Sequence, residues 1–188
     1  GTRLIYREIK EGTGQDIMMI SLDGKRESQP LLQTMFSESN AEVSPDGRWL
    51  AYQSAESGRE EVHVRPFSDI NAGHWQVSNG GGTMPMWSRD GRELFYLSPD
   101  EILMSVPVNE GPQWHSAVPK MFLAGPYLFS PPNNGRTFGG NTSRVFDMSP
   151  DGKRLLVMKY GNAGETAVPR LVVVQNWIDE LKRFASRN

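Results

Sequence analysis

The sequence predicts an all-β protein built from several short antiparallel sheets, and two observations lead to this fold class. First, 19 glycines and 13 prolines are spread along the whole chain of 188 residues, which indicates many turns and therefore many short elements. Second, one turn motif recurs three times between runs that have the character of strands. Both observations favour strands over helices as the main elements of the chain.

The recurring motif is a serine-led turn that contains Asp-Gly and precedes a basic residue and an apolar run. It occupies residues 44–52, 88–96 and 149–157, and the second copy has Arg89 where the others have proline. Proline holds φ near −65° and glycine readily adopts a positive φ, so each copy predicts a tight hairpin. The aspartate can accept hydrogen bonds from turn amides, which indicates a structural role rather than a catalytic one. The predicted structural turn residues are Asp46, Gly47, Asp90, Gly91, Asp151 and Gly152.

Further strand-like runs surround these hairpins. A third run follows each copy of the motif, at residues 61–65, 102–106 and 171–174, and a fourth follows the first two copies, at 74–78 and 121–123. Three runs before the first copy, at 3–7, 16–20 and 30–33, predict the second, third and fourth strands of another sheet.

The spacing of the hairpins predicts how the sheets are arranged. Asp46 and Asp90 are 44 residues apart, and four short antiparallel strands in a repeat of this length are typical of a β-propeller blade. Asp90 and Asp151 are 61 residues apart, which predicts an insertion of about 17 residues. An immunoglobulin-like sandwich is the alternative all-β fold, but it does not account for one hairpin sequence that recurs three times. The sequence therefore predicts a β-propeller, as a partial ring of about 3.5 four-stranded blades.

The repeats resemble the TolB-type, WD40-like propeller repeats of bacterial proteins, whose hallmark is an apolar-Ser-Pro-Asp-Gly-basic-x-Leu/Ile-apolar hairpin. This resemblance extends over essentially the whole chain. Residues 171–183, LVVVQNWIDELKR, are similar to the end of the propeller tails of bacterial receptor-type serine/threonine kinases and related sensor proteins. The second resemblance implies a membrane span and a kinase domain upstream, and a location outside the cytoplasm.

The chain is expected to form a single propeller segment. Its predicted parts are a partial blade at 1–36, blades at 40–79 and 83–124, an insertion at 125–143, a partial blade at 144–175 and a C-terminal helix at 176–187. Asn176 is a good N-cap for that helix, and Trp177 and Leu181 fall on one of its faces. Because a partial ring exposes apolar faces and strand edges, we expect either a fragment of a longer chain or a homodimer that completes the propeller.

Composition and motifs limit the function. A net charge of −2 from 20 basic and 22 acidic residues leaves no electrostatic footprint for nucleic acid, and no apolar run reaches the length of about 18 residues that a membrane span needs. The chain has no cysteine and carries no nucleophile elbow, zinc-protease motif or phosphate loop. The sequence therefore predicts no catalytic residue, no cofactor, no metal site, no nucleic-acid partner and no membrane contact.

The positions of the three histidines and five tryptophans predict where their side chains lie. His63, His74 and His115 lie at strand-like positions without a partner at i+2 or i+4, so solvent-facing side chains are expected rather than metal ligands. Of the five tryptophans, three occupy repeat or helix positions that predict packing between blades, whereas the other two could lie inside or outside the core. The first group is Trp49, Trp87 and Trp177, and the second is Trp75 and Trp114.

The insertion is the strongest candidate for a binding surface. It joins a fourth strand to the next first strand, close to the channel mouth of a propeller, and long loops with aromatic, Asn and Arg side chains are often functional. The predicted binding residues are Tyr127, Phe129, Asn133, Asn134, Arg136, Phe138, Arg144 and, from a neighbouring charged loop, Arg59. We predict a non-catalytic binding module, a sensor or a scaffold, that recognises a protein, a peptide or a small ligand at the loops around residues 56–60, 79–83, 99–101 and 126–144. The alternative is an accessory or catalytic propeller of an enzyme, either a substrate gate of a prolyl-oligopeptidase-like peptidase or a lyase.

Overall fold

The computed structural model describes residues 2–109, 111–129 and 144–159, together with the backbone of 170–175. All regular elements within these ranges are β-strands, and they form four antiparallel sheets, which confirms the all-β prediction. No helix in the described ranges is long and apolar enough to cross a membrane. The predicted C-terminal helix at 176–187 lies outside the described residues.

Each of the first three sheets corresponds to one predicted blade, with its strands in chain order. The first sheet contains β1 (Arg3–Lys10), β2 (Gly14–Ser21) and β3 (Ser28–Leu32). The second contains β4 (Glu38–Val43), β5 (Trp49–Ser54), β6 (Glu61–Pro66) and β7 (Trp75–Gln76). The third contains β8 (Thr83–Trp87), β9 (Glu93–Leu97), β10 (Leu103–Pro107) and β11 (Lys120–Leu123).

The fourth sheet differs from the prediction in its first strand. It contains β12 (Tyr127–Leu128), β13 (Asp147–Met148), β14 (Arg154–Lys159) and β15 (Arg170–Gln175). Both β12 and β13 pair with β14, at Lys159 and Met158 for β12 and at Leu156 and Leu155 for β13. The two short strands therefore occupy successive positions along β14, and residues 127–128 of the predicted insertion belong to the blade itself.

Three apolar cores lie between successive sheets. Strand β5 shows how they form, because its side chains alternate and both of its faces are covered. Leu50 and Tyr52 pack towards the first sheet, in a core with Ile17 and Leu32. Trp49 and Ala51 belong to the core shared with the third sheet. A third core joins the third and fourth sheets and contains Phe95, Phe129, Phe146, Met148 and Leu155.

The tryptophans form a cluster between the second and third sheets. The ring centroids of Trp49 and Trp114 are 5.3 Å apart, and those of Trp87 and Trp114 are 6.0 Å apart. Trp75 packs against the same group while half-buried. The core prediction is confirmed for Trp49 and Trp87, Trp114 is also buried, and Trp177 lies outside the described residues.

The three Asp-Gly turns have the same local hydrogen bonds. In the second copy, Ser88 Oγ donates to Asp90 Oδ1 at 2.7 Å, the amide of Arg92 donates to the same oxygen at 3.1 Å, and the amide of Glu93 donates to Ser88 Oγ at 2.9 Å. The glycine that follows, Gly91, has a φ of 73°, which a residue with a Cβ rarely adopts. The equivalent bonds occur around Asp46 and Asp151, and they are hydrogen bonds within the turn of the kind that a structural aspartate makes.

Replacing Asp90 with alanine is expected to lower the free energy of unfolding by about 1 kcal/mol at pH 7, as the loss of a helix cap does. The hydrogen bond from Ser88 holds the pKa of Asp90 below its ordinary value of 3.8. Because the pKa of Asp90 is lower in the folded state than in the unfolded chain, its ionised form stabilises the fold above pH 3.8. This stabilisation is lost as the pH falls through the pKa of the folded state. The free energy of unfolding of Asp90→Ala, measured with urea, should therefore approach that of wild type as the pH falls from 7 to about 2. The exposed Asp100→Ala is the control and should remain close to wild type throughout.

Candidate functional site

Six loops lie at one edge of the sheets, because successive strands alternate in direction. They are residues 11–13, 33–37, 55–60, 77–82 and 98–102, together with an uncharged loop at 124–126, and we call this surface the loop face. Arg59, one of the predicted binding residues, is exposed there in the loop between β5 and β6.

A buried carboxylate fixes the centre of the loop face. Glu61, the first residue of β6, accepts hydrogen bonds from the amides of Gly80 at 3.1 Å and Gly81 at 2.8 Å, and from the hydroxyl of Ser78. The loop 77–82 is also tied to its neighbours, since the amide of Gly82 donates to the carbonyl of Glu60 at 2.9 Å. These bonds hold the loops between the second and third sheets in one arrangement.

A close approach to Pro99 explains why glycine is needed at position 81. A Cβ at Gly81 would lie 2.4 Å from Pro99 Cγ, and its φ of 111° is strained for any other residue. The loop 98–102 therefore packs directly on the loop 77–82. Three loops from two blades thus form one continuous surface.

Charge distinguishes the loop face from the opposite face. The six loops carry five carboxylates and a single cation, which are Glu11, Glu56, Glu60, Asp100, Glu101 and Arg59. The described turns of the opposite face carry six carboxylates and six cations. The carboxylates are Asp23, Glu27, Asp46, Asp69, Asp90 and Asp151, and the cations are Lys25, Arg26, Arg48, Arg89, Arg92 and Lys153. Among the loops and turns that the structure describes, the acidic excess therefore lies on the loop face.

Arg144 connects the first strands of three successive blades. Its Nη1 donates to Glu42 on β4 at 2.5 Å and to the carbonyl of Pro85 on β8 at 3.1 Å, and its Nη2 lies 3.9 Å from Asp147 on β13. In the structure, this predicted binding residue therefore makes hydrogen bonds and ion pairs that link neighbouring blades.

The aromatic part of the predicted binding surface is corrected by the structure. Phe129 is fully buried and packs edge-on against Phe146, with ring centroids 5.7 Å apart. Tyr127 is half-buried beside the same core. The reason is that β12 pairs with β14 and carries both rings into the interface between blades. The predicted binding residues Asn133, Asn134, Arg136 and Phe138 lie outside the described residues.

A group of histidines and a glutamate lies at the edge of the loop face, on the side of the second sheet that faces the first. His63 Nδ1 is 3.0 Å from His74 Nε2, and Glu56 Oε1 lies 3.2 Å from the former and 2.8 Å from the latter. His63 is 2% exposed, so the expectation of a solvent-facing side chain is wrong for this residue. His115 is exposed, as the sequence predicts.

Tyr52 forms one wall of this group. Its ring stacks on His63 and His74, at centroid distances of 5.7 and 6.5 Å, and Arg65 donates to its hydroxyl at 2.8 Å. Burial lowers the pKa of His63 to about 4, against the opposing charge of Glu56. Burial also lowers the pKa of His74. Both imidazoles are therefore neutral at pH 7, and each has one ring nitrogen with a free electron pair for a ligand.

Two further buried carboxylates make this region between the first two sheets acidic. Asp16 and Glu38 are both almost completely buried. Burial raises the pKa of Glu38, against a hydrogen bond from Thr34, and the charges of Asp16 and Glu56 raise it further. The opposing positive charge is that of Arg65, which helps to lower the pKa of both His63 and His74.

Sequence reasoning missed this group because its members are separated along the chain. His63 and His74 are 11 residues apart and lie on either side of an irregular connection between β6 and β7. No fixed spacing on one element relates them. The only usable signal was that a third and a fourth strand of one blade must be neighbours, which brings residues from both into range.

No family model matches the chain, and no curated protein matches it. Among solved structures, the chain is similar to a protein assigned as TolB from Agrobacterium tumefaciens, at 15% identity and a TM-score of 0.61, over 94% of this chain and 58% of that one. It is similar to an oligogalacturonate lyase from Vibrio parahaemolyticus, at 13% identity and a TM-score of 0.51, over 93% of this chain and 45% of that one. It is also similar to the β-propeller domain of Cps50 (Swd1) from Myceliophteria thermophila, at 14% identity and a TM-score of 0.50, over 86% of this chain and 50% of that one.

The chain thus spans only about half the length of these structures, between 45% and 58%. At such low identities the likeness shows the fold alone. It agrees with the sheet topology and with the repeated Asp-Gly hairpins. The chain therefore has the β-propeller fold that the sequence predicts, with TolB and WD40-type propellers among its structural neighbours.

Proposed function

We propose that the chain is a non-catalytic propeller binding module whose loop face recognises a peptide or protein segment rich in basic residues. The observation that carries this proposal is the concentration of five carboxylates against one cation on a surface whose loop 77–82 is fixed by hydrogen bonds to the buried Glu61 and packs on the loop 98–102. A partner with lysine and arginine side chains is the chemical complement of such a surface.

Two physical effects support binding at this face. A surface that is already rigid loses little conformational freedom when it binds, so more of the interaction energy remains as affinity. Exposed charges such as Asp100 and Glu101 attract a basic partner over about 8–10 Å at physiological ionic strength and speed its encounter. The opposite face has balanced charges and lacks this attraction.

The test compares two double variants that remove the same charge from opposite faces. Glu11→Gln/Asp100→Asn changes the loop face, whereas Asp23→Asn/Glu27→Gln changes the turn between β2 and β3 on the opposite face. Binding of a fluorescent lysine- and arginine-rich peptide is measured by anisotropy at low and physiological salt. The loop-face variant is expected to bind about tenfold more weakly, since two exposed ion pairs contribute up to about 1 kcal/mol each. The opposite-face variant should bind like wild type.

Two results would contradict the proposal. Equal weakening in both double variants would show attraction by net charge alone, without a defined surface. Absence of peptide binding by the wild-type chain would remove basic segments as the partner class. An acidic peptide of equal length serves as the negative probe and should not bind.

The remaining functional predictions from the sequence concern the wider context of the module. A sensor role, suggested by the resemblance of residues 171–183 to receptor-kinase propeller tails, is compatible with recognition at the loop face and stays a prediction. One of the structural neighbours is an enzyme, an oligogalacturonate lyase, which is the kind of protein that the alternative prediction describes. A shared fold does not by itself imply a shared activity.

A further inference from the structure

We propose that Glu56, His63 and His74 form a binding site for one divalent transition-metal ion, with Zn²⁺ as the ion that fits best. This proposal does not require the basic partner proposed for the loop face, although Glu56 also belongs to the carboxylates of that face. It lies on the flank of the second blade and joins the loop 55–60 to β6 and to the residue before β7.

The geometry of the three donor atoms is that of a ligand set. Glu56 Oε1, His63 Nδ1 and His74 Nε2 form a nearly equilateral triangle with sides of 2.8, 3.0 and 3.2 Å. Tetrahedral zinc has ligand bonds of about 2.0–2.1 Å, which places neighbouring ligand atoms about 3.3 Å apart. An outward adjustment of a few tenths of an ångström would bring all three atoms to bonding distance from one central ion.

Hydrogen bonds between two neutral imidazoles and the carboxylate of Glu56 do not satisfy all three sides of this triangle. If both His63 Nδ1 and His74 Nε2 carry protons, two donors face each other at 3.0 Å. If only one of them carries a proton, the other nitrogen directs its electron pair at the carboxylate oxygen of Glu56. With Glu56 as a carboxylate, each of these arrangements of the imidazole protons therefore leaves one repulsive side, whereas a central cation interacts favourably with three electron pairs at once.

The buried histidine has only one nitrogen available for a ligand. His63 Nε2 is buried and has no hydrogen-bond partner among the described residues, so Nδ1 is the atom through which this ring can interact. Stacking on Tyr52, which Arg65 holds in place, fixes the orientation of the ring. One ligand is thus preorganised before an ion arrives.

The other two ligands provide a path from solvent. The side chains of His74 and Glu56 are 33% and 24% exposed, whereas that of His63 is 2% exposed. Three protein ligands leave the fourth position of a tetrahedral ion for water or for a side chain of a partner. Two imidazoles with one carboxylate favour zinc and other late transition metals over Mg²⁺ and Ca²⁺, which prefer oxygen ligands.

The test uses the full chain without a histidine tag. Zn²⁺ binding is measured by calorimetry, and Co²⁺ is added separately because its visible absorption spectrum reports the coordination geometry. Wild type is expected to bind one Zn²⁺ and to show the intense bands of tetrahedral Co²⁺. His74→Ala should weaken Zn²⁺ binding by more than about a hundredfold, beyond the 10–100-fold that the loss of an outer hydrogen-bond partner costs. His74 is partly exposed, so this variant should fold.

His115→Ala is the matched control, since it removes an exposed histidine from the connection between β10 and β11, which is not part of the group. It should bind Zn²⁺ like wild type. A stoichiometry of one that is lost in His74→Ala and kept in His115→Ala supports the site. The proposal is overturned if wild type takes up no Zn²⁺ at micromolar concentration, or if His74→Ala binds as tightly as His115→Ala. Thermal melting of all three proteins without metal verifies that they are folded.

Discussion

Replacement of Trp49 with alanine is expected to lower the free energy of unfolding by about 3–5 kcal/mol. Trp49 is buried where the second and third blades meet, and its ring contacts both Trp114 and Trp75, at 5.3 and 5.8 Å between centroids. Alanine would leave a cavity that the surrounding rings cannot fill, because each of them is held by its own backbone position. Chemical denaturation followed by circular dichroism measures the change.

Two controls make this prediction decisive. Trp49→Phe keeps an aromatic ring at this position and should lower the free energy of unfolding much less than Trp49→Ala. The indole Nε1 has no hydrogen-bond partner within the described structure, so this substitution removes no hydrogen bond there. Met35→Ala removes an apolar side chain that is 79% exposed and should change stability by less than about 0.5 kcal/mol. If Trp49→Ala were no more destabilising than Met35→Ala, the packing of these two blades would not be as described.

Replacement of Glu61 with alanine is expected to lower the free energy of unfolding by about 3 kcal/mol. Its buried carboxylate accepts hydrogen bonds from Ser78, Gly80 and Gly81, and alanine would leave these three donors without an acceptor. The loop 77–82 should then become mobile while the sheets remain. Hydrogen exchange followed by mass spectrometry should show faster exchange in this loop, with little change in β5 and β9.

Glu61→Ala also tests the link between rigidity and binding. A mobile loop face should bind the basic peptide more weakly, although Glu61 itself is buried and does not reach a partner. Glu11→Ala is the control for stability, because it removes an exposed carboxylate from the same face and should leave unfolding nearly unchanged. A Glu61→Ala protein as stable as Glu11→Ala would show that these hydrogen bonds do not fix the loop.

The two proposed sites share the loop 55–60 and can still be separated by experiment. Glu11→Gln/Asp100→Asn changes the charge of the loop face and leaves the three proposed metal ligands intact. His74→Ala removes a proposed metal ligand and leaves every carboxylate of the loop face in place. Failure of one proposal therefore does not decide the other.

The structure limits which parts of the predicted insertion can be tested as a binding surface. Deletion of a segment that begins at Tyr127 would remove β12 and the buried ring of Phe129, and the fourth blade would lose part of its first strand. Loss of binding in such a deletion would therefore report on folding. Point substitutions on the loop face avoid this problem.

Local sequence alone determined the hairpins and therefore the fold class. Ser88, Asp90 and the amides that they bind lie within six consecutive residues, so the turn forms in the same way wherever this sequence occurs. Repetition of this turn at blade spacing then indicated the propeller. The core positions of Trp49 and Trp87 could be predicted for the same reason, because each has a fixed place relative to its turn.

Only the tertiary structure decided which distant residues meet. The burial of Phe129 depends on β12 pairing with β14, about 30 residues further along the chain. The meeting of Glu56, His63 and His74 depends on the path of one loop and on the register between two strands. Neither is encoded in a local pattern, since a shift of register by one residue turns a side chain to the other face of its sheet. The physical reason is that turns are selected by bonds between near neighbours, whereas sites are selected by how complete blades pack.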